Sequence, residues 1–188
     1  MSPRNPNAIN LQLGRLPKII HIDTSFFISA IINDNSDKHK AAENFFRRLL
    51  KEKTAIALST IVFNEFWNAA LKIRIKDALR LKTTSEINLP AMIIDEKSFE
   101  EVQKHNKTVR ADISLLFDLL DKFSGRCLII HPNRDIMNDA LTMHHTYAMG
   151  LMDAIHIATM RIAKEESIAA FDRYMENVLG INVWCMYC

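Results

Sequence analysis

Glycine is scarce in this chain, with four in 188 residues, and neither GxxxxGK[ST] nor GxGxxG occurs. A phosphate cradle built from glycine backbone is therefore excluded, and with it the common nucleotide-binding enzymes. GxSxG is missing as well, which removes the strand-to-helix turn of the serine hydrolases. No apolar run reaches membrane-spanning length, since the best candidate, near Met149 to Met160, contains Asp153 and His156. The first residues, MSPRNPNAINLQLGRLP, lack the continuous apolar core of a signal peptide. These absences predict a cytoplasmic protein with no membrane partner. Cysteine is sparse and odd in number, Cys127, Cys185 and Cys188, which does not resemble a disulfide framework. Cys185 and Cys188 form CxxC but lack the second ligand pair of a zinc site. Charge of one sign is also lacking: the formal net charge is +2, so nucleic acid would have to be held by a local basic patch.

What the chain does have is apolar material, 48% hydrophobic residues against 24% charged, enough for one domain with a full core. Short apolar runs at 18–22, 54–58, 127–131, 167–171 and 181–184 predict five buried strands. Longer segments with helical spacing lie between them, such as Ala41, Phe45, Phe46, Leu49 and Leu50. Strands alternating with helices predict an α/β fold with a central, mostly parallel sheet flanked by helices. Residues 1–17 read as a flexible arm and residues 18–188 as the domain. The polar, mixed-charge stretch at about 76–122 reads as a helical excursion within it. No internal repeat is visible.

Four acids stand in or beside apolar segments, where an ionised carboxylate is costly without compensation. Asp23 follows KIIHI, Glu65 lies in STIVFNEFWNAALK, Asp153 in GLMDAIHIATM, and Asp172 after SIAAF. In parallel α/β sheets ligands bind beyond the carboxyl ends of the strands, and all four acids fall at such ends or in the first turns of the helices that follow. Each has a plainer account. Asp23 and Asp172 could be helix N-caps, Glu65 could pair with Lys72, and Asp153 could be held by a helix N-terminus. Ser25 could cap or hold a metal-bound water, and His156 reads first as a satisfied core histidine. Together the four acids would have to reach one sheet edge by independent coincidences, and a divalent cation is the natural compensation.

Two basic stretches follow the first two acids. One carries Lys38, Lys40, Arg47, Arg48, Lys51 and Lys53, the other Lys72, Arg74, Lys76, Arg80 and Lys82. Either could be a solvated helix face or a backbone-holding flank of the site.

The segments IIHIDTSFFISAI, LSTIVFNEFWNAA, GLMDAIHIATM and AAFDRYMENVLGINVW, in that order, resemble the PIN-domain ribonucleases, especially the VapC-type toxins of toxin–antitoxin pairs. The resemblance runs from about Lys18 to Trp184 and implies a three-layer PIN-like fold. It implies a metal-dependent endoribonuclease using Mg²⁺ or Mn²⁺, with Asp23, Glu65, Asp153 and Asp172 as metal-binding and catalytic acids and Ser25 in support. RNA as substrate, an antitoxin partner and a homodimer are further implications. Many VapC-like relatives carry another acid where this chain has Tyr174, with Glu176 nearby, which leaves open whether one metal or two would bind. Two other readings stay open: an inactive PIN-like RNA-binding module, and an RNA- or DNA-processing nuclease of the same fold with no toxin role.

Overall fold

The computed structural model describes residues 8–32, 36–81, 83–89, 92 and 96–186, with the backbone alone at 96–99, 101, 173 and 174. The strands are β1 (Ala8–Asn10), β2 (Ile19–Ile22), β3 (Ala55–Ser59), β4 (Cys127–Ile130), β5 (Ser167–Ala169) and β6 (Asn182–Cys185). They form one sheet in the order β1-β6-β5-β2-β3-β4, and every pairing is parallel. The sheet thus has six strands where five were predicted. The added strand, β1, lies inside the stretch read as an arm. It pairs Ala8, Ile9 and Asn10 with Val183, Trp184 and Cys185, so an edge position rather than a long apolar run creates it. Three residues beside a polar neighbourhood carry little periodic signal. Cys185, buried at the end of β6, is disulfide-bonded, which the odd cysteine count did not suggest; Cys188 lies outside the described residues.

The helices are α1 (Thr24–Ile31), α2 (Asp37–Lys51), α3 (Ile61–Leu79), α4 (Glu96–Asp121), α5 (Arg134–Tyr147) and α6 (Leu151–Ile162). Each forms for local reasons. In α2 the buried residues Ala42, Phe45, Phe46 and Leu49 share one face by helical spacing, Ser36 caps the start, and Arg48 and Lys51 stand in the last turn. Helix α3 buries Val62, Phe66, Ala70 and Leu71 and stops at Arg80, whose left-handed backbone closes the last turn. A bidentate pair from Arg74 to Asp112 ties α3 to α4.

Adjacent residues of the central strands face opposite clusters, as strand alternation requires. Ala169 and Trp184 join the core under α1 to α4, while Ile168 and Val183 join the one under α5 and α6. The β2-to-β3 and β3-to-β4 connections therefore cover one face, and the β4-to-β5 connection covers the other. Strand order reverses between β2 and β5, which makes that gap the switch point where such sheets bind ligands. Among the described residues, no helix is long and apolar enough to cross a membrane.

Candidate active site

The carboxyl ends of β2, β3 and β5 and the start of α6 open on a cavity of about 420 Å³. Asp23, Glu65, Asp153 and Asp172 all line it, together with Thr24, Ser25, Asn64, Asn68 and Lys72. All four predicted acids and Ser25 are thus brought to one place from four separate segments.

The simpler account of Asp23 and its site role hold together. Its backbone is extended, its carboxylate accepts the Ser25 backbone N–H as the N-cap of α1, and its own N–H donates to the Ala169 carbonyl of β5. The Ser25 hydroxyl donates to the same Asp23 oxygen and accepts the Phe171 backbone N–H at 3.3 Å. Ser25 therefore locks the β2 end to the β5 end and fixes the spacing of Asp23 from Asp172.

Glu65 does not take Lys72 as its partner. The Thr24 hydroxyl donates to its Oε2, and Nε2 of His156 lies 2.9 Å from that oxygen. Nε2 of His156 also stands 3.5 Å from Asp23 Oδ1. Carboxylates only accept, so this nitrogen carries a proton. Burial drives the His156 pKa down, but the Glu65 hydrogen bond and the charges of Asp23, Glu65 and Asp153 outweigh it and hold it above the usual value. Burial likewise pushes the Glu65 carboxyl up, and His156 and Thr24 outweigh that to leave it below the usual carboxylate range.

Asp153 has the opposite fate. Burial first, then the charges of Asp23 and Asp172, push its carboxyl up to about 6, with His156 opposing them. Its position depends on Gly150, the N-cap of α6, because a Cβ there would stand 2.9 Å from Asp153 Oδ2. Asp172 follows β5 directly.

His156, read first as a satisfied core histidine, is fully buried and satisfied, but its partners are the site acids. It lies three positions after Asp153 on α6, so helical spacing put them on one face. Thr24 was missed outright, since a buried threonine hydroxyl beside Asp23 looks like ordinary capping sequence. Three arginines of the basic stretches have partners within the protein. Arg47 pairs with Glu43 and Arg48 with Glu52, Arg48 also holds the Leu11 and Gly14 carbonyls, and Arg74 holds Asp112. Lys72 lines the pocket, and Lys38 stands 5.5 Å from the Phe171 ring centre, next to Asp172.

The all-oxygen donor set suits a hard divalent cation, and the raised Asp153 carboxyl shows unbalanced negative charge. Among the described residues, however, no three His, Cys, Asp or Glu side chains are gathered closely enough to hold an ion as they stand. The cause is visible: Asp23 is turned toward Ser25, and Glu65 toward Thr24 and His156.

A parallel α/β domain with four carboxylates at its switch point has the donor chemistry of a site for hard cations. The PIN domain family matches residues 20–180, and the chain belongs to that family. Solved structures with a similar fold include a toxin–antitoxin complex from Klebsiella pneumoniae, 15% identical over 86% of this chain and 94% of that chain, with a TM-score of 0.45. VapBC2 from Rickettsia felis, bound to a DNA fragment from their promoter, is 15% identical over 89% of this chain and 98% of that chain, at 0.49. Mycobacterium tuberculosis VapC20, a Sarcin-Ricin loop cleaving toxin, is 18% identical over 87% of this chain and 98% of that chain, at 0.50. At 18% identity and a TM-score of 0.50, the likeness to the last of these is one of fold alone. No curated protein matches the chain in sequence.

Proposed function

We propose that this protein is a metal-dependent endoribonuclease that hydrolyses RNA phosphodiester bonds, and the toxin of a toxin–antitoxin pair. The observation that carries the reading is the convergence of Asp23, Glu65, Asp153 and Asp172 on one pocket at the switch point. The sequence resemblance to VapC-type toxins supports RNA as substrate, an antitoxin partner, a homodimer and a cytoplasmic location.

The four acids would hold Mg²⁺ or Mn²⁺. When bound, the cation supplies a nucleophilic water at neutral pH and neutralises charge on the phosphoryl oxygens. The chain's own residues do the rest. Ser25 sets the distance between the Asp23 and Asp172 loops. His156 places positive charge beneath Glu65 and Asp23, which offsets the repulsion that a phosphate entering this pocket would otherwise meet. Lys72, which lines the pocket, would serve as a backbone contact, which positions a strand without reading its sequence.

One observation favours a second reading, an RNA-binding module without catalysis: His156 already compensates two of the acids, and no three are gathered. Incubating the protein with structured RNA and single-stranded DNA, in Mg²⁺, Mn²⁺ or EDTA, separates the two. The nuclease reading expects metal-dependent RNA cleavage that drops at least about 100-fold in Asp23→Asn and in Asp153→Asn, the scale of losing one charge-stabilising or proton-transfer group. Binding without cutting selects the second reading, and equal cutting by all three proteins overturns the site. Growth arrest on induced expression tests the toxin role.

A further inference from the structure

Behind His156 the polar contacts continue away from the pocket. Its Nδ1 lies 3.3 Å from Nε2 of His21, which stands in the middle of β2 and is fully buried. The two rings meet edge to face, 5.6 Å between centres. Nδ1 of His21 in turn faces Glu165 Oε2 at 3.8 Å. Glu165 belongs to the turn between α6 and β5, where its N–H closes on the Met160 carbonyl and Lys164 takes a left-handed backbone. Its side chain is only 1% exposed, and neither carboxyl oxygen has a hydrogen-bond partner, nor has Nδ1 of His21. A line of three buried ionisable groups, Glu165, His21 and His156, therefore runs from the far end of β5, across β2, to the half-buried Glu65.

Burying a carboxyl group and an imidazole nitrogen without partners is expensive, and an apolar residue at position 165 would be cheaper for stability alone. Nδ1 of His21 and Oε2 of Glu165 face each other at 3.8 Å, within ion-pair reach and just beyond hydrogen-bond range. Nε2 of His156 donates to Glu65, and across the 3.3 Å between Nδ1 of His156 and Nε2 of His21 one nitrogen donates and the other accepts. Nδ1 of His21, in whichever role it is left, faces Glu165. Glu165 can meet either role, since an ionised carboxyl group accepts and a protonated one also donates.

We infer that Glu165 is a positioning residue for the acidic pocket: through His21 it sets the ring of His156, and through His156 the carboxylate of Glu65. Groups that orient a functional side chain from behind characteristically matter without touching the reacting atoms. Glu165 thus reaches the site from the opposite end of the strand. The effect on catalysis rests on the nuclease reading; the effect on the histidines does not.

The test compares wild type, Glu165→Gln and Glu165→Leu in the full chain. The imidazole ¹⁵N signals of His21 and His156 are recorded in metal-free protein, and kcat and KM are measured on RNA with Mg²⁺. Gln keeps the acceptor oxygen and should leave both rings and the kinetics near wild type. Leu should shift the His21 nitrogens, perturb Nδ1 of His156 and lower kcat about tenfold, with KM within about twofold. Glu165→Met, whose unbranched side chain follows the Glu path, repeats the Leu arm if that variant does not fold. Unchanged histidine signals in a folded Leu or Met variant overturn the inference, as does a Gln variant no better than Leu. Shifted signals in a protein that cuts no RNA leave the inference standing and fail the nuclease reading instead.

Discussion

Glu65 and Asp153 line the same pocket and carry the same charge, yet the fold treats them oppositely. Glu65 is supplied with donors, Thr24 and His156, and its carboxyl stays below the usual range despite burial. Asp153 meets mainly burial and the charges of Asp23 and Asp172, and is pushed up to about 6. The pocket is therefore asymmetric, with one flank compensated by the protein and the other left negative. A cation has more to gain on the Asp153 side, while the Glu65 side is arranged to survive without one.

The sharpest way to break this asymmetry is to remove the internal cation. His156→Gln leaves Glu65 and Asp23 without positive charge in a buried setting, and breaking such a pair from one side costs about 3–5 kcal/mol. Chemical denaturation in EDTA should show that loss, and divalent cation should recover part of it by binding the native state. A loss within about 0.5 kcal/mol would mean that His156 compensates nothing.

The opposite change on the other flank should stabilise. Asp153→Asn removes a carboxylate that its neighbours repel. The full shift would correspond to about 3 kcal/mol, discounted to about 1 kcal/mol for a partly solvated group. Metal-free protein at neutral pH should then melt about 2–4 °C higher than wild type, and should gain less than wild type from Mg²⁺. Activity lost and stability gained in one variant would identify Asp153 as a residue placed for function. A lower melting temperature would show that the helix N-terminus, not a ligand, is its purpose.

These distinctions were only partly legible in the sequence. The strands β2 to β6 and the placing of four acids at their carboxyl ends followed from apolar runs alternating with helical spacing. The strand β1 did not, because three residues gain their structure only by pairing with β6. Asp23 could be read as a cap or as a site residue, and it is both, since capping α1 is what aims its carboxylate. Long-range partners were out of reach: nothing local connects Thr24 to Glu65, or Glu165 to His21 across 144 positions of chain. The excess of basic residues was equally ambiguous until Arg47, Arg48 and Arg74 were seen to hold partners within the protein.

The asymmetry also sets a pH dependence. An acid whose pKa rises on folding favours the folded state at low pH and loses that contribution as pH climbs, so Asp153, at about 6, and Glu165, pushed by burial to about 7, both weaken the protein as pH rises. His156, raised above the usual imidazole value, adds stability that is present at low pH and is lost as pH passes its folded pKa. His21 acts the other way, but only at lower pH, where the unfolded imidazole takes up a proton that the buried ring refuses. Metal-free stability should therefore fall between about pH 4 and about pH 7, through the Asp153 and Glu165 steps with His21 opposing them below about pH 6.5, and go on falling above that as His156 loses its proton. A flat profile in urea melts across that window would contradict the compensated flank and the repelled one alike.

The smallest expected effect concerns what the pocket offers a strand. Lys72 and Arg74 lie two residues apart on α3, but Arg74 is bound to Asp112 while Lys72 opens on the acids. If Lys72 neutralises one phosphate, Lys72→Ala should weaken RNA binding across all sequences and reduce the slope of log K against log salt by about 0.7, the value for one contact on a single strand. Binding is measured in EDTA, so that cutting does not interfere. Arg74→Ala should instead leave the slope unchanged and lower stability, because its partner is buried Asp112. Equal slopes in wild type and Lys72→Ala would mean that Lys72 neutralises no phosphate.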